Sequence, residues 1–328
     1  MTEIVAVDIG GTHARFALAE VANGRVVTLG DACTLKTAEH ASLQTAWEDF
    51  GREIGRDLPN AAGIAVAGPV QGDVLKLTNN PWVIRPALIP AKLGATRYAL
   101  INDFGAIAHA VAQINAGQFK HLCGIDRPLP DDGVVSIVGP GTGLGVAQLI
   151  RRGANYEVLE TEGGHIDFAP LDSLEDQILG RLRKRHVRVS VERVLSGMGL
   201  TNIYETLTDI EAQHGDERGI VYRDERALWT AALAGEDSLA VAALDRFCLT
   251  LGAVAGDIAL AQGADAVVIA GGLGLRLAGH LPRSGFRDRF IAKGRFERRM
   301  ADIPVKIVTH PQPGLFGAAA AFAGKFGQ

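Results

Sequence analysis

Two short stretches rich in Gly and Thr hold the groups best suited to chemistry. The first is Val7-Asp8-Ile9-Gly10-Gly11-Thr12. Glycines leave backbone N–H groups bare, and successive amides in a turn can cradle a phosphate without a helix dipole. Asp8 stands beside that turn, placed to hold Mg²⁺ through water. The second is Gly141-Thr142-Gly143-Leu144-Gly145, about 130 residues further on. Either stretch alone reads equally well as an ordinary tight turn.

The elements around them decide more. Ile4 to Val7 is a β-branched, apolar run that reads as a buried strand. Beyond the turn, Ala14, Phe16 and Leu18 recur with period 2, so the chain leaves as a second strand. A Walker loop or a dinucleotide fingerprint would leave as a helix. Val134–Val138 and Val146–Ile150 bracket a second loop, Gly139 to Gly145, in the same way. Strand, Gly/Thr turn, strand therefore occurs twice, and repetition is a signal about the fold. Two such hairpins facing each other could hold both ends of a triphosphate. The arrangement resembles the duplicated actin-like ATPase (ribonuclease H-like) core of sugar kinases, actin and Hsp70 chaperones, an α/β fold with two domains around a cleft.

Other reactive side chains fall at strand ends and in loops. Leu100-Ile101-Asn102-Asp103-Phe104 closes a strand ahead of a helix expected from Ala106 to Gln113. Ligands of open α/β sheets bind beyond the carboxyl ends of strands, so Asp103 is a candidate general base. Its alternative role is a helix N-cap. Asn79, in Thr78-Asn79-Asn80, could reach a ligand or close its own turn. Glu162 and His165 flank Gly163-Gly164, which makes a helical metal pair improbable. A loop with a carboxylate and an imidazole suits a hydroxyl-rich substrate, since one accepts and the other both donates and accepts. Glu192 is a further carboxylate near a helix start, where the dipole alone would favour it. Gly271-Gly272 follows the apolar strand Ala266–Ala270 and leaves room for a flat adenine, or is a plain strand-to-helix turn.

The remaining pattern supplies scaffolding. Leu43–Ile54 reads as a helix capped by Ser42, and Ser173–His186 as a helix with a basic last turn. Leu239–Gln262 is a long Ala-rich helix with Ser238 as N-cap and Gly263 as stop. Within it, Gly252 and Gly256 ask for a close neighbour. Ala116–Asp132 reads as irregular, and Ser284–Met300 as a mixed, solvated Arg-rich face. The terminal helix, Gly314–Lys325, is small enough to pack between domains.

Composition narrows the class. The chain has 328 residues, room for about two domains. A formal charge of −4 gives no general pull toward nucleic acid or membrane. No uncharged apolar run reaches ~18 residues, so no membrane span is expected. Met1-Thr2-Glu3 lacks a basic leader, so no signal peptide is expected. Cys33, Cys123 and Cys248 are dispersed, as reduced cytosolic thiols are, and no zinc spacing occurs.

Taken in order, Asp8–Thr12, Leu100–Phe104, Gly141–Gly145, Glu162–Phe168, Glu192–Gly197 and Ile269–Gly272 resemble the bacterial ATP-dependent glucokinase family along essentially the whole chain. The resemblance implies a hexokinase-type fold. A small α/β domain would span 1–113, completed by a C-terminal helix at 311–328, with a larger domain at 114–310. It implies transfer of phosphate from Mg-ATP to the 6-hydroxyl of glucose, feeding glycolysis, in a cytoplasmic homodimer. Carried over, Asn102, Asp103, Glu162, His165 and Glu192 would surround the sugar, with Asp103 as base. Val7, Asp8, Ile9, Gly10, Gly11 and Thr12, with Gly141, Thr142 and Gly143, would hold phosphate. Gly271 and Gly272 would flank adenosine. One departure is His13, where the family commonly has Asn.

Two alternatives stand beside it. The related ROK sugar kinases and repressors share the early glycine loop. They add a zinc-binding Cys cluster absent here, and the repressors add a DNA-binding module for which Asp8 lies too near the start. A non-enzymatic actin-like or chaperone-like ATP switch would have no need of Glu162 and His165.

Overall fold

A computed structural model describes residues 1–77, 80–213 and 219–327. The chain divides into two units. One contains Met1–Gln118, Val158–Glu160 and His310–Gln328, and the other Phe119–Glu157 and Thr161–Thr309.

The first unit opens with β1 (Thr2–Ile9), β2 (His13–Ala22), β3 (Arg25–Leu29) and β4 (Cys33–Lys36). Helix α1 (Leu43–Ile54) follows, then β5 (Ala61–Val66), the short pair β6 (Leu75–Lys76) and β7 (Val83–Ile84), and α2 (Ile89–Leu93). Strand β8 (Arg97–Asn102) runs into α3 (Asp103–Gln113). Ser42 and Thr45 form a reciprocal cap on α1, and Gly55 stops it at φ 71°. Trp47 and Phe50 of α1 are buried, and the Phe50 ring stacks on Phe16 at 5.4 Å. The main sheet has the order β3-β2-β1-β5-β8, with β4 beside β2. β1 and β2 are antiparallel, while β1, β5 and β8 run parallel.

The second unit contains β9 (Phe119–Cys123), β10 (Asp132–Pro140), β11 (Leu144–Arg152) and the ends of β12 (Asn155–Thr161), whose middle, Val158–Glu160, belongs to the first. Next come α4 (Ser173–Arg183), α5 (Gly197–Gln213), α6 (Glu225–Ala234) and α7 (Ser238–Gln262). It finishes with β13 (Ala266–Ile269), α8 (Gly271–Arg276), α9 (Phe286–Ile291), α10 (Glu297–Asp302) and β14 (Val305–Val308). Its sheet has the order β12-β11-β10-β13-β14-β9. Again the glycine hairpin β10/β11 is antiparallel, and β10, β13 and β14 run parallel. The two sheets thus share one plan, a three-strand meander followed by two parallel strands.

Helix α7 lies in the core of this unit. It is long and apolar enough to cross a membrane, yet 67% of its most apolar window is buried by protein. Arg246, in its N-terminal half, pairs with Asp172 and Glu175. Gly252 and Gly256 do meet a close neighbour. A Cβ on them would lie 2.1 Å from the Phe286 carbonyl oxygen and 2.7 Å from that of Phe290, both on α9.

After β14 the chain returns to the first unit as α11 (Pro313–Phe326). Small residues let it approach closely. A Cβ on Gly63 of β5 would lie 2.1 Å from the Ala318 carbonyl oxygen, and one on Gly317 would overlap the Ala106 carbonyl of α3. The small face therefore packs on the sheet and α3 of this unit, where the sequence suggested a place between domains.

Several other boundaries differ from expectation. Asp237, not Ser238, caps α7, because its carboxylate reaches two amides, of Leu239 and Ala240. Ala116–Asp132 contains β9, hidden in the sequence because Lys120 and His121 interrupt its apolar pattern. The basic turn after α4 lies partly beyond the helix, which ends at Arg183 with Lys184 as C-cap.

Candidate functional site

Val7 and Ile9 are fully buried, so they build β1 rather than face solvent. Gly10, Gly11 and Thr12 form the tip joining β1 to β2, with Ile9 opposite Ala14. Three groups hold the tip's carbonyls from outside. Asn80 Nδ2 donates to Gly10 O at 2.9 Å, Thr37 Oγ1 to Gly11 O at 3.0 Å, and Thr37 N–H to Thr12 O at 3.0 Å. A trans peptide sets N–H opposite to C=O, and no peptide bond among the described residues is cis. Fixing the carbonyls of Gly10 and Gly11 therefore aims the N–H groups of Gly11 and Thr12 the other way. Thr12 Oγ1 lies 2.9 Å from His13 Nδ1.

Asp8 sits just below this tip. Arg15 Nη1 donates to its carboxylate at 3.2 Å. A Cβ on Gly314, in the first turn of α11, would lie 2.5 Å from Asp8 Oδ2, so glycine there makes room for the carboxylate. Burial raises the Asp8 pKa, and Arg15 offsets only part of that rise. Among the described residues no three His, Cys, Asp or Glu side chains gather as a metal cluster. A magnesium ion that keeps most of its waters needs only one or two carboxylates beside substrate phosphates, and Asp8 fits that use.

Asn102 and Asp103 divide the work at the start of α3. Asn102 is the cap: its Oδ1 accepts from Phe104 N–H at 2.8 Å and Gly105 N–H at 3.2 Å, and its Nδ2 donates to Gly68 O at 3.1 Å. Glu160 Oε1 accepts the Asn102 N–H at 3.0 Å. A Cβ on Gly105 would fall 2.2 Å from that same oxygen, so only glycine admits Glu160 here. Asp103 is the first helical residue, and its Oδ1 accepts the Phe104 N–H at 2.9 Å. The capping role open to Asp103 in the sequence thus belongs to Asn102.

In the second unit the tip is shorter than the sequence suggested. β10 continues through Pro140 and β11 begins at Leu144, leaving Gly141-Thr142-Gly143. Gly141 N–H donates to Gly143 O, and Gly197 N–H to Gly141 O, both at 2.8 Å. The second bond turns the Thr142 N–H away from the Gly197 side. Glu192 Oε2 accepts the Leu144 N–H at 3.0 Å, and a Cβ on Gly143 would lie 2.3 Å from that oxygen. A Cβ on Gly271, at φ +79°, would lie 2.8 Å from the Pro140 carbonyl oxygen, while one on Gly272 would meet nothing within 4 Å.

Glu162, His165 and Glu192 are brought together by backbone pairing. Val191 N–H donates to Ile166 O at 2.9 Å and Phe168 N–H to Val189 O at 3.0 Å. Arg188 fastens the same seam, through Nε to Asp167 at 2.5 Å and Nη2 to His165 O at 2.7 Å. Gly163–His165 forms one turn of 3-10 helix, with His165 Nε2 3.8 Å from Glu162 Oε2. The glycines that argued against helix are required by packing. A Cβ on Gly164 would lie 2.1 Å from Leu144 O, and one on Gly163 2.9 Å from the Val146 side chain.

Asn79 lies outside the described residues. Its neighbour Asn80 makes the useful contacts, to Gly10 O and to the Trp82 N–H. Sequence reading also passed over Thr37 and Glu160. Neither stands in a motif, and both act from strand ends distant in the chain.

A profile of the glucokinase family matches residues 5–325. The chain is 64% identical to a glucokinase of Zymomonas mobilis subsp. mobilis, over 99% of each chain. Its fold is similar to a crystal structure of glucokinase from an Antarctic psychrotroph, with TM-score 0.82, 33% identity and 98% of each chain covered. It also matches the fold of a ROK family glucokinase from Streptomyces griseus, solved in complex with glucose and AMPPNP. That match has TM-score 0.61 and 21% identity, over 97% of this chain and 98% of the other. These neighbours share the duplicated actin-like core described above. The chain belongs to the glucokinase family and is a hexose kinase.

Proposed function

We propose that this hexose kinase moves the γ-phosphoryl group of ATP to the 6-hydroxyl of glucose with Asp103 as general base, giving glucose 6-phosphate and ADP. The observation that carries this reading is the division of labour at α3. Asn102 caps the helix, so Asp103 is not needed for that task. The positive end of the helix favours an ionised carboxylate there. An ionised Asp can accept the hydroxyl proton as the phosphoryl group arrives.

Phosphoryl transfer needs positioning and charge stabilisation more than covalent help. Val7 to Thr12 and Gly141 to Gly143 are read as the phosphate-holding turns, through their outward amides and the hydroxyl of Thr142. Gly271 and Gly272 are read as the adenosine flank, where the open side of Gly272 leaves space. Asp8 would hold Mg²⁺ through water, and the ion would neutralise phosphate charge when bound. On the sugar, Glu162 and Glu192 accept from hydroxyls and His165 donates or accepts. Glu192 has one oxygen on Leu144 N–H, so its other oxygen serves the sugar. Glucose and AMPPNP in the Streptomyces griseus neighbour support this pairing of substrates.

We read 1–113 with 311–328 as the small domain and 114–310 as the large one, acting as a cytoplasmic homodimer that feeds glycolysis. Three unbridged cysteines fit a reducing compartment. The test is a matrix of sugars and phosphoryl donors on purified protein, followed by Glu162→Gln and His165→Ala. Both variants are expected to raise the glucose KM and leave the ATP KM unchanged. A raised ATP KM with an unchanged glucose KM would assign this loop to the nucleotide.

A further inference from the structure

A concave basic surface of the second unit has no part in the chemistry above. Arg127, Arg295, Arg298 and Arg299 line a cavity of about 460 Å³ together with Asp265 and Asp302. Four guanidinium groups against two carboxylates leave a net positive wall. Several other arginines of this unit, among them Arg181, Arg185, Arg188, Arg246 and Arg289, pair with carboxylates. None of the four cavity arginines has an ion-pair partner within 4.0 Å among the described residues. Asp265 is occupied, since its Oδ2 accepts the Val134 N–H at 2.9 Å. Arg295 is steadied over the Phe296 ring at 5.1 Å.

The cavity is remote from the glycine turns. Asp265 precedes β13, and Ile303 at its edge precedes β14, so it lies at the amino ends of these parallel strands. Gly271 lies beyond the carboxyl end of β13, about 20 Å away at ~3.3 Å per residue. A charged concavity focuses potential, and guanidinium forks match phosphate oxygens in pairs.

We propose that this cavity is a second anion site, which binds a small multiply charged phosphate compound away from the catalytic residues. Inorganic diphosphate is the probe, titrated by calorimetry into the wild-type chain and into Arg295→Ala/Arg298→Ala/Arg299→Ala. All three positions are exposed, so the variant should fold, which circular dichroism checks. Wild-type protein is expected to bind diphosphate at least tenfold more tightly than the triple variant, a difference of about 1.4 kcal/mol or more. The glucose and ATP KM values should stay within about twofold, because the arginines touch no catalytic group. Arg298→Lys keeps the charge but loses the fork, and should fall between the two. Equal affinities in wild type and triple variant, or no binding by wild type, would overturn the proposal.

Discussion

The two glycine hairpins share a backbone plan and differ in what holds them. Neutral groups secure the first: the Asn80 amide and Thr37, all drawing on carbonyl oxygens. A carboxylate secures the second, since Glu192 takes the Leu144 N–H and fills the space that a side chain on Gly143 would need. The first tip can therefore keep its shape whatever happens at the sugar residues. The second is tied to Glu192, which the family resemblance assigns to the sugar. Of the two turns, only the second is held by a carboxylate.

A similar difference appears at the last parallel strand of each sheet. Strands β8 and β14 hold equivalent places, and helices α3 and α11 follow them. β8 ends in Asn102 and is followed by Asp103, whereas β14 is followed by Thr309 and His310. Only the first repeat offers a carboxylate, so the largest effect is expected there. Asp103→Asn should lower kcat by ~10²–10⁴ while calorimetric glucose affinity stays within a few-fold. Near wild-type turnover would erase the proposed difference between the repeats.

Glycine replacements should separate the hairpins. Gly143→Ala displaces the Glu192 carboxylate from Leu144, because the new Cβ would stand 2.3 Å from Oε2. The side chain can swing aside, so the fold should survive, but the turn loses its anchor. We expect kcat/KM for ATP to fall roughly 10–100-fold, equivalent to about 1.4–2.7 kcal/mol. Gly10→Ala brings its Cβ to 3.4 Å from His13 O, an ordinary contact, and should cost less than about threefold. Steady-state kinetics on both variants, with melting curves alongside, decides it. Equal losses would mean that Glu192 is not what distinguishes the second turn.

Half-buried His109 and buried His310 mark the two helix regions. His109 lies in α3, and burial pushes its pKa down to about 4. Burial also lowers His310, just before α11, where the Gln312 N–H donates to its Nδ1. An unfolded imidazole titrates near ~6.5. Between about 4 and ~6.5 the unfolded chain binds the proton and the folded chain does not. The His109 contribution is complete above that range and is lost as pH falls through it, by roughly 2 kcal/mol at pH ~5. Urea midpoints should drop between pH ~7.5 and ~5, and less steeply for His109→Gln. Parallel slopes would assign the proton uptake elsewhere.

What the sequence disclosed follows from the range of each interaction. Period-2 alternation around Gly10 and Gly141 is local, so both hairpins could be read directly. Apolar runs likewise marked β1, β10 and β13. Strand β9 was illegible because its pairing with β14 is long-range and its pattern is broken by Lys120 and His121. Thr37 and Asn80, which hold the first tip, and Glu160, which accepts the Asn102 N–H, act across tens of residues and leave no local signature. Gly163 and Gly164 were read as helix breakers, yet their role is to let a tight turn lie on β11. Asn102 and Asp103 were legible as a pair, while which of them caps the helix depended on backbone geometry.

The finest test compares the two threonines, one per tip. Thr12 Oγ1 is engaged with the His13 ring, at 2.9 Å. No such neighbour is seen for the hydroxyl of Thr142 among the described residues, which leaves it the better placed of the two to donate to a phosphate oxygen. Replacing a hydroxyl by a methyl group removes one hydrogen bond, worth about 0.5–1.5 kcal/mol net, and spares the backbone amides. Thr142→Val is therefore expected to raise the ATP KM about 2–10-fold, with the glucose KM unchanged. Thr12→Val should raise it less than about twofold, because the lost bond joins two exposed side chains that water can satisfy. A larger effect at Thr12 than at Thr142 would reverse the assignment. The neutral hairpin would then supply the side-chain donor, and the one tied to Glu192 would contribute its backbone alone.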